Sequence, residues 1–153
     1  MMTMLKKQKI SLYIYLLVFV LTTSLVFLYI SNVNKAYYQD MQVNVLYLLA
    51  AALVFLLLTI GLSFHAKTKS LLMAADISRI VASLLIILGG VRFISMRLES
   101  FGYIFGSNLE MNNEAAFDAG SQAIMIIVIF VATWLISVIA AFFDVGQKKT
   151  VTG

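Results

Sequence analysis

RFISMRLESFGYIFGSNLEMNNEAAFD, residues 92–118, holds four of the chain's seven acidic residues and divides three long apolar runs from a fourth. The runs cover 10–30, 43–64, 71–97 and 119–143. Each meets or exceeds the roughly 20 apolar residues that cross a hydrocarbon core as a helix. The expected fold is an all-α integral membrane protein of one domain. Its four spans form an antiparallel four-helix transmembrane bundle, with segment 98–118 outside it.

The composition agrees. Of 153 residues, 62% are hydrophobic and 12% charged, with a mean hydropathy of +0.99, which is foreign to water-soluble domains. The net charge of +4 does not point to nucleic acid, because the basic residues stand at the ends of apolar runs. There they anchor and orient helices. Cysteine is absent, which excludes disulfides and thiolate metal sites, and His65 is the single histidine. Proline is absent too, which favours plain helices, although Gly89-Gly90 still invites a break in span three.

Lys6, Lys7 and Lys9 precede the first run like the start of a secretory signal. The run is long enough to span, however, and no small-residue cleavage site follows, so a retained signal anchor is expected. Thr22, Thr23 and Ser24 should bond back to carbonyls one turn earlier and face the bundle. Loop 31–42, SNVNKAYYQDMQ, sets Tyr37 and Tyr38 in the interfacial aromatic belt, and its composition also suits sugar or peptide contact. Ala50-Ala51-Ala52 in span two would admit a close neighbour. The short turn 65–70 makes spans two and three a tight hairpin, with His65 an interfacial residue.

Span three begins with Asp76 and Arg79, three apart and able to pair. They head a stripe of Asp76, Arg79, Ser83, Ile86, Gly90, Phe93 and Arg97 that should face protein, since lipid would leave its polar groups unmatched. In span four Thr133, Ser137 and Ala141 recur every fourth residue as a close-packing stripe, and Trp134 falls too deep for the belt. Lys6, Lys7, Lys9, Lys67, Lys69, Arg79, Lys148 and Lys149 share one side if both termini do, leaving Lys35, Arg92 and Arg97 toward the other. The positive-inside rule then makes this a multi-pass cell-membrane protein with cytoplasmic termini.

Arg92 lies about 7 Å deeper than Arg97 at 1.5 Å per residue. It either snorkels outward or pairs with Glu99, two turns on. Phe101-Gly102 and Phe105-Gly106, with Tyr103 between them, place apolar anchors beside flexible backbone. Ser107-x-x-Glu110 has capping-box spacing, and Asn112 or Asn113 is placed to cap a helix opening near Glu114. Residues 101–118 are therefore expected to fold back onto the outer mouth of the bundle as a re-entrant or interfacial piece, its acids in water above Arg92 and Arg97. Glu110, Asn112, Glu114 and Asp118 could together hold a hard cation. Acids favoured by a helix dipole are the simpler reading, so no metal or cofactor is expected.

RLESFGYIFGSNLEMNNEAAFDAGSQAI, residues 97–124, resembles a segment of small four-span membrane proteins of Gram-positive bacteria, some of them associated with carbohydrate-uptake genes. The resemblance covers about a fifth of the chain and no catalytic motif. It implies an accessory subunit beside a sugar ABC-type permease. The residues themselves offer no Ser-His-Asp or Cys-His set, no phosphate loop, and no mid-span carboxylate to couple proton flow. The expected protein is a non-enzymatic interaction subunit in the lipid bilayer, forming a homo-oligomer or a hetero-complex with other membrane proteins. A small oligomeric channel or transporter is the alternative. It would need a polar path through the midplane, of which Ser83, Gly89-Gly90 and scattered threonines are the traces.

Overall fold

The computed structural model describes residues 2–65 and 68–142, and for 2–9 and 65 the backbone alone. It comprises α1 (Met2–Val33), α2 (Val43–His65), α3 (Lys69–Gly106) and α4 (Glu114–Ala141), with no strand among the described residues. The side chains of Lys6, Lys7, Lys9 and His65, and all of Lys67, Asp144, Lys148 and Lys149, lie outside the description. All four helices contain stretches long and apolar enough to cross a membrane. They pack in a ring, α1 on α2, α2 on α3, α3 on α4, and α4 back on α1.

No more than a third of each helix's most apolar stretch is buried. Outward positions are as apolar as inward ones: Phe27, Val54, Leu57, Leu84, Val128 and Ile139 are all exposed. A helix apolar on every side belongs in hydrocarbon, and a surface this apolar would drive aggregation in water. The interior is filled by Val18, Leu25, Leu49, Leu56, Ile86 and Ile126, with Phe93 and Phe130 between them. Phe93 stacks on Phe130 at 6.0 Å between centroids and meets Tyr29 edge-on at 5.9 Å.

Gly89-Gly90 does not break α3, which runs through it. The glycines serve packing instead, since a Cβ at Gly90 would stand 3.2 Å from the Phe130 ring. The expected stripe on α3 does face inward from Arg79 to Arg97, Ser83 being half-buried, while Asp76 at its head stays exposed. Ser83 also meets α4, accepting a 3.0 Å hydrogen bond from Ser137. Thr22, Thr23 and Ser24 bond back to Val18, Phe19 and Val20 carbonyls, though only Thr22 is fully buried.

Two small-residue readings need correction. Ala52 alone of its trio is buried. On α4, Thr133 and Ser137 are buried but Ala141 is exposed, and Ala140 takes the inward place. Four residues turn a helix about 40° past a full circle, so a strict four-residue repeat drifts off its face. Trp134 is half-buried against the core.

The larger correction concerns the outer segment. Residues 98–106 are neither a loop nor a re-entrant piece: α3 continues through them without interruption to Gly106. Only 107–113 turn the chain before α4 opens at Glu114, where the expected asparagine cap placed a helix start, five residues before the apolar run of span four. The hairpin is held by its own packing. Phe105 lies 5.9 Å from Phe101 and 5.6 Å from Phe117, ring to ring. Gly120 lets α3 close on α4, as a Cβ there would come within 3.0 Å of Ile104. Asn113, one of the two expected caps, accepts from the Ala116 N–H at 3.1 Å. The Ser107–Glu110 box does not form, because Ser107 ends α3 and its hydroxyl accepts from Leu109 N.

Candidate functional site

The most organised polar group in the molecule is built on Arg97, whose side chain is fully buried. Its Nη1 and Nη2 donate to the two Asp40 carboxylate oxygens at 2.6 and 3.1 Å, and its Nε donates to Asn32 Oδ1 at 3.1 Å. The flat face of the guanidinium lies 3.5 Å from the Tyr38 ring centroid. A forked, planar cation suits this combination of a bidentate carboxylate and an aromatic face.

Asn32 carries the network to α4. Its amide donates to Ala119 O and to Gln122 Oε1, both at 3.1 Å, and Gln122 in turn donates to Ser31 Oγ at 3.2 Å. Asn32 thereby uses its acceptor and both amide hydrogens, as a buried amide must. Tyr29 closes the α1–α2 connection, donating to Gln42 O at 2.8 Å and accepting from Gln42 N at 2.9 Å. Before Asp40 the chain passes through Gln39 at φ 43°, a left-handed conformation that reverses its direction. Helices α1, α3 and α4 and loop 34–42 are thus tied at one level.

A second pair lies toward the other end of α3. Arg79, 6% exposed, donates to Asp76 at 2.7 Å as the three-residue spacing predicts, and sits 5.7 Å from the Tyr15 ring centroid on α1. Between the two arginines the interior is mainly apolar, with the hydroxyls of Thr22, Ser83, Thr133 and Ser137 set in it.

The remaining sequence candidates are dispersed. Arg92 is exposed and joins none of the ion pairs among the described residues, so the expected pairing with Glu99 is not made. Five residues at 100° each carry Arg92 well off the inward face that holds Arg97. Glu99 instead accepts from Tyr103 Oη at 3.0 Å. Phe101 and Phe105 serve the hairpin packing. Glu110 accepts from Asn113 Nδ2 at 2.7 Å and from Tyr37 Oη at 3.4 Å. Burial, and after it the Glu110 carboxylate, push the Tyr37 phenol above its usual value. Asn112 and Glu114 are exposed, Glu114 in the first turn of α4. Asp118 is ion-paired with Lys35.

Of the oxygens considered for a cation, those of Glu110 and Asp118 are engaged with different partners, and no group of three or more potential metal ligands exists among the described residues. The carboxylates expected above Arg92 and Arg97 do not neutralise either of them. Arg97 finds its counter-charge in Asp40, which belongs to the other loop.

Asn32, Asp40 and Gln122 are not indicated by spacing or pattern, and Lys35 and Tyr38 are placed only as a charge on the side away from the termini and a belt aromatic. Asp40 alone offered a signal, as the single acid in residues 1–75 of a chain with two outward arginines. Chemically the site is a clamp. Each guanidinium nitrogen of Arg97 has an acceptor, and the Asp40 carboxylate, 41% exposed, faces outward. No protein-family model matches the chain, and no curated protein or solved structure matches it.

Proposed function

We propose that this chain is a non-enzymatic, multi-pass subunit of a larger assembly in the cell membrane. Its helices are antiparallel and both termini are cytoplasmic. The contacts between helix ends support that arrangement: Asn32, late in α1, meets Ala119 and Gln122, early in α4. Tyr15, early in α1, meets Arg79, early in α3. The cytoplasmic assignment rests on the basic residues of the sequence.

One observation carries the choice of a subunit over a transporter. Between Arg79 and Arg97 the interior is closed by side chains with 1% exposure or less, among them Leu25, Leu56, Ile86, Phe93, Ile126 and Phe130. A solute crossing one copy would have to displace a stacked aromatic pair and would meet only scattered hydroxyls, those of Thr22 and Thr133 already bonded to carbonyls of their own helices. The resemblance of residues 97–124 makes a sugar ABC-type permease the assembly to test first.

Purification from native membranes in mild detergent tests the proposal. The expected result is a second membrane protein that stays in fixed ratio with this chain through gel filtration. Purified chain that alone conducts ions or moves a sugar across liposomes would overturn it in favour of a channel or transporter.

A further inference from the structure

We infer that the tip of the α3–α4 hairpin is a docking surface for a basic, apolar-flanked segment of a partner protein on the outer side of the membrane. The inference rests on the subunit reading above and adds to it the surface and the chemistry of the contact.

The first observation is reach. α3 continues nine residues beyond Arg97, about 14 Å at 1.5 Å per residue. Arg97 is already at the level where polar groups gather. One polar zone of a bilayer is roughly 5–8 Å deep, so with the hydrocarbon edge set at Arg97 the tip stands beyond the headgroups. There it presents Leu109 and Met111, 74% and 72% exposed, on either side of Glu110. Large apolar side chains this bare, held in water beyond the lipid, mark a contact surface.

Charge identifies the occupant. Residues 98–118 contain Glu99, Glu110, Glu114 and Asp118 and no Lys, Arg or His. Among the described residues only Asp118 of these is ion-paired, with Lys35. Glu99, Glu110 and Glu114 have no cationic partner there, Glu99 and Glu110 accepting only from neutral donors; Glu110 lies between the two exposed apolar residues and Glu114 follows them. A second copy docking tip to tip would bring the same acids against them, and anionic lipid headgroups would bring phosphates. Both juxtapositions are repulsive. A segment with Lys or Arg spaced around apolar side chains matches both components of the surface.

The surface is also set in advance. Phe101, Phe105 and Phe117 pack together beneath it, Gly120 lets the two helices close, and Asn113 caps α4. A tip already ordered loses little freedom on binding.

Photo-crosslinking of the full chain in its native membrane tests this. The probe is a benzophenone side chain placed at Met111, with the same probe at lipid-facing Val128 as the comparison. The expected result is a protein adduct from position 111 but not 128, whose cross-linked peptide carries two or more Lys or Arg. Its yield should fall about five-fold or more in the Glu110→Lys/Glu114→Lys variant and in high salt. Glu110→Gln/Glu114→Gln should lose an intermediate share. Unchanged circular dichroism and gel-filtration profiles establish that both variants are folded.

Several outcomes overturn the inference: no adduct, lipid adducts alone, an adduct with a second copy, a peptide without basic residues, or a yield indifferent to charge. If a partner co-purifies while position 111 captures nothing, the docking surface falls and the subunit reading stands. If nothing co-purifies either, both fall.

Discussion

Arg97 has no exposed surface, and its charge is neutralised by a residue of another loop. Arg97→Ala would leave the Asp40 carboxylate and the Asn32 carbonyl without their donor. Breaking a buried pair from one side costs roughly 3–5 kcal/mol, and the partial exposure of Asp40 places this one at the lower end. Arg97→Lys should recover only part, since a point charge cannot serve Asp40 and Asn32 at once. Arg92→Ala, at an exposed position, should change stability by no more than about 0.5 kcal/mol. Thermal unfolding in detergent, followed by circular dichroism, separates the two sites. Equal losses at 92 and 97 would mean that depth sets the cost and the network does not. The stripe of span three already set Arg97 inward and left Arg92 off it, but the partners of Arg97 are not legible in the sequence. Asp76 and Arg79 could be paired from their spacing, because three residues return a helix to the same face. Asp40 lies 57 positions from Arg97 and Asn32 lies 65, and no period connects residues brought together by folding.

Hydropathy locates the four helices well because each apolar run is also a helix. It fails at the outer end of α3, where the two properties part. Residues 98–106 bring in Glu99, Ser100 and two glycines, but no proline, and the glycines are tolerated in a helix packed through Phe101, Ile104 and Phe105. Hydropathy marks where lipid stops, whereas a helix stops where its hydrogen bonds and packing do. The glycines of α3 give a direct test. At Gly90 a methyl group would press on Phe130, which is itself fixed against Phe93. Gly90→Ala should therefore destabilise by about 1–3 kcal/mol. At Gly102 nothing lies within 4 Å, so Gly102→Ala should stabilise by up to about 1 kcal/mol through helix propensity alone. If residues 98–106 were irregular, Gly102→Ala would bring no gain. Spin labels scanned through 98–106 should likewise show accessibility rising and falling every 3.6 residues. A flat profile would contradict the continuous helix.

For the molecule as a whole, the proposed topology predicts that impermeant thiol reagents in intact cells reach cysteines introduced at Asn34 and Asn112 but not at Thr68. Labelling at Thr68 would refute cytoplasmic termini. One further consequence follows from the placement of Arg79 and Arg97 on a single uninterrupted helix. They lie eighteen residues apart, about 27 Å along the axis, and each is tied to a carboxylate at its own level. Two such pairs act as a gauge of hydrocarbon thickness. A bilayer much thicker than that distance would have to thin around the protein or draw one ion pair into its oily core, and the helices cannot relieve this by sliding independently while Asn32 ties α1 to α4. Reconstituted into lipids of increasing acyl length, the protein should be most heat-stable where the hydrocarbon is close to 27 Å thick, and should cluster in thicker membranes. Arg97→Ala should flatten that optimum. In a cell with membranes of more than one thickness, the same spacing would favour the membrane that fits it.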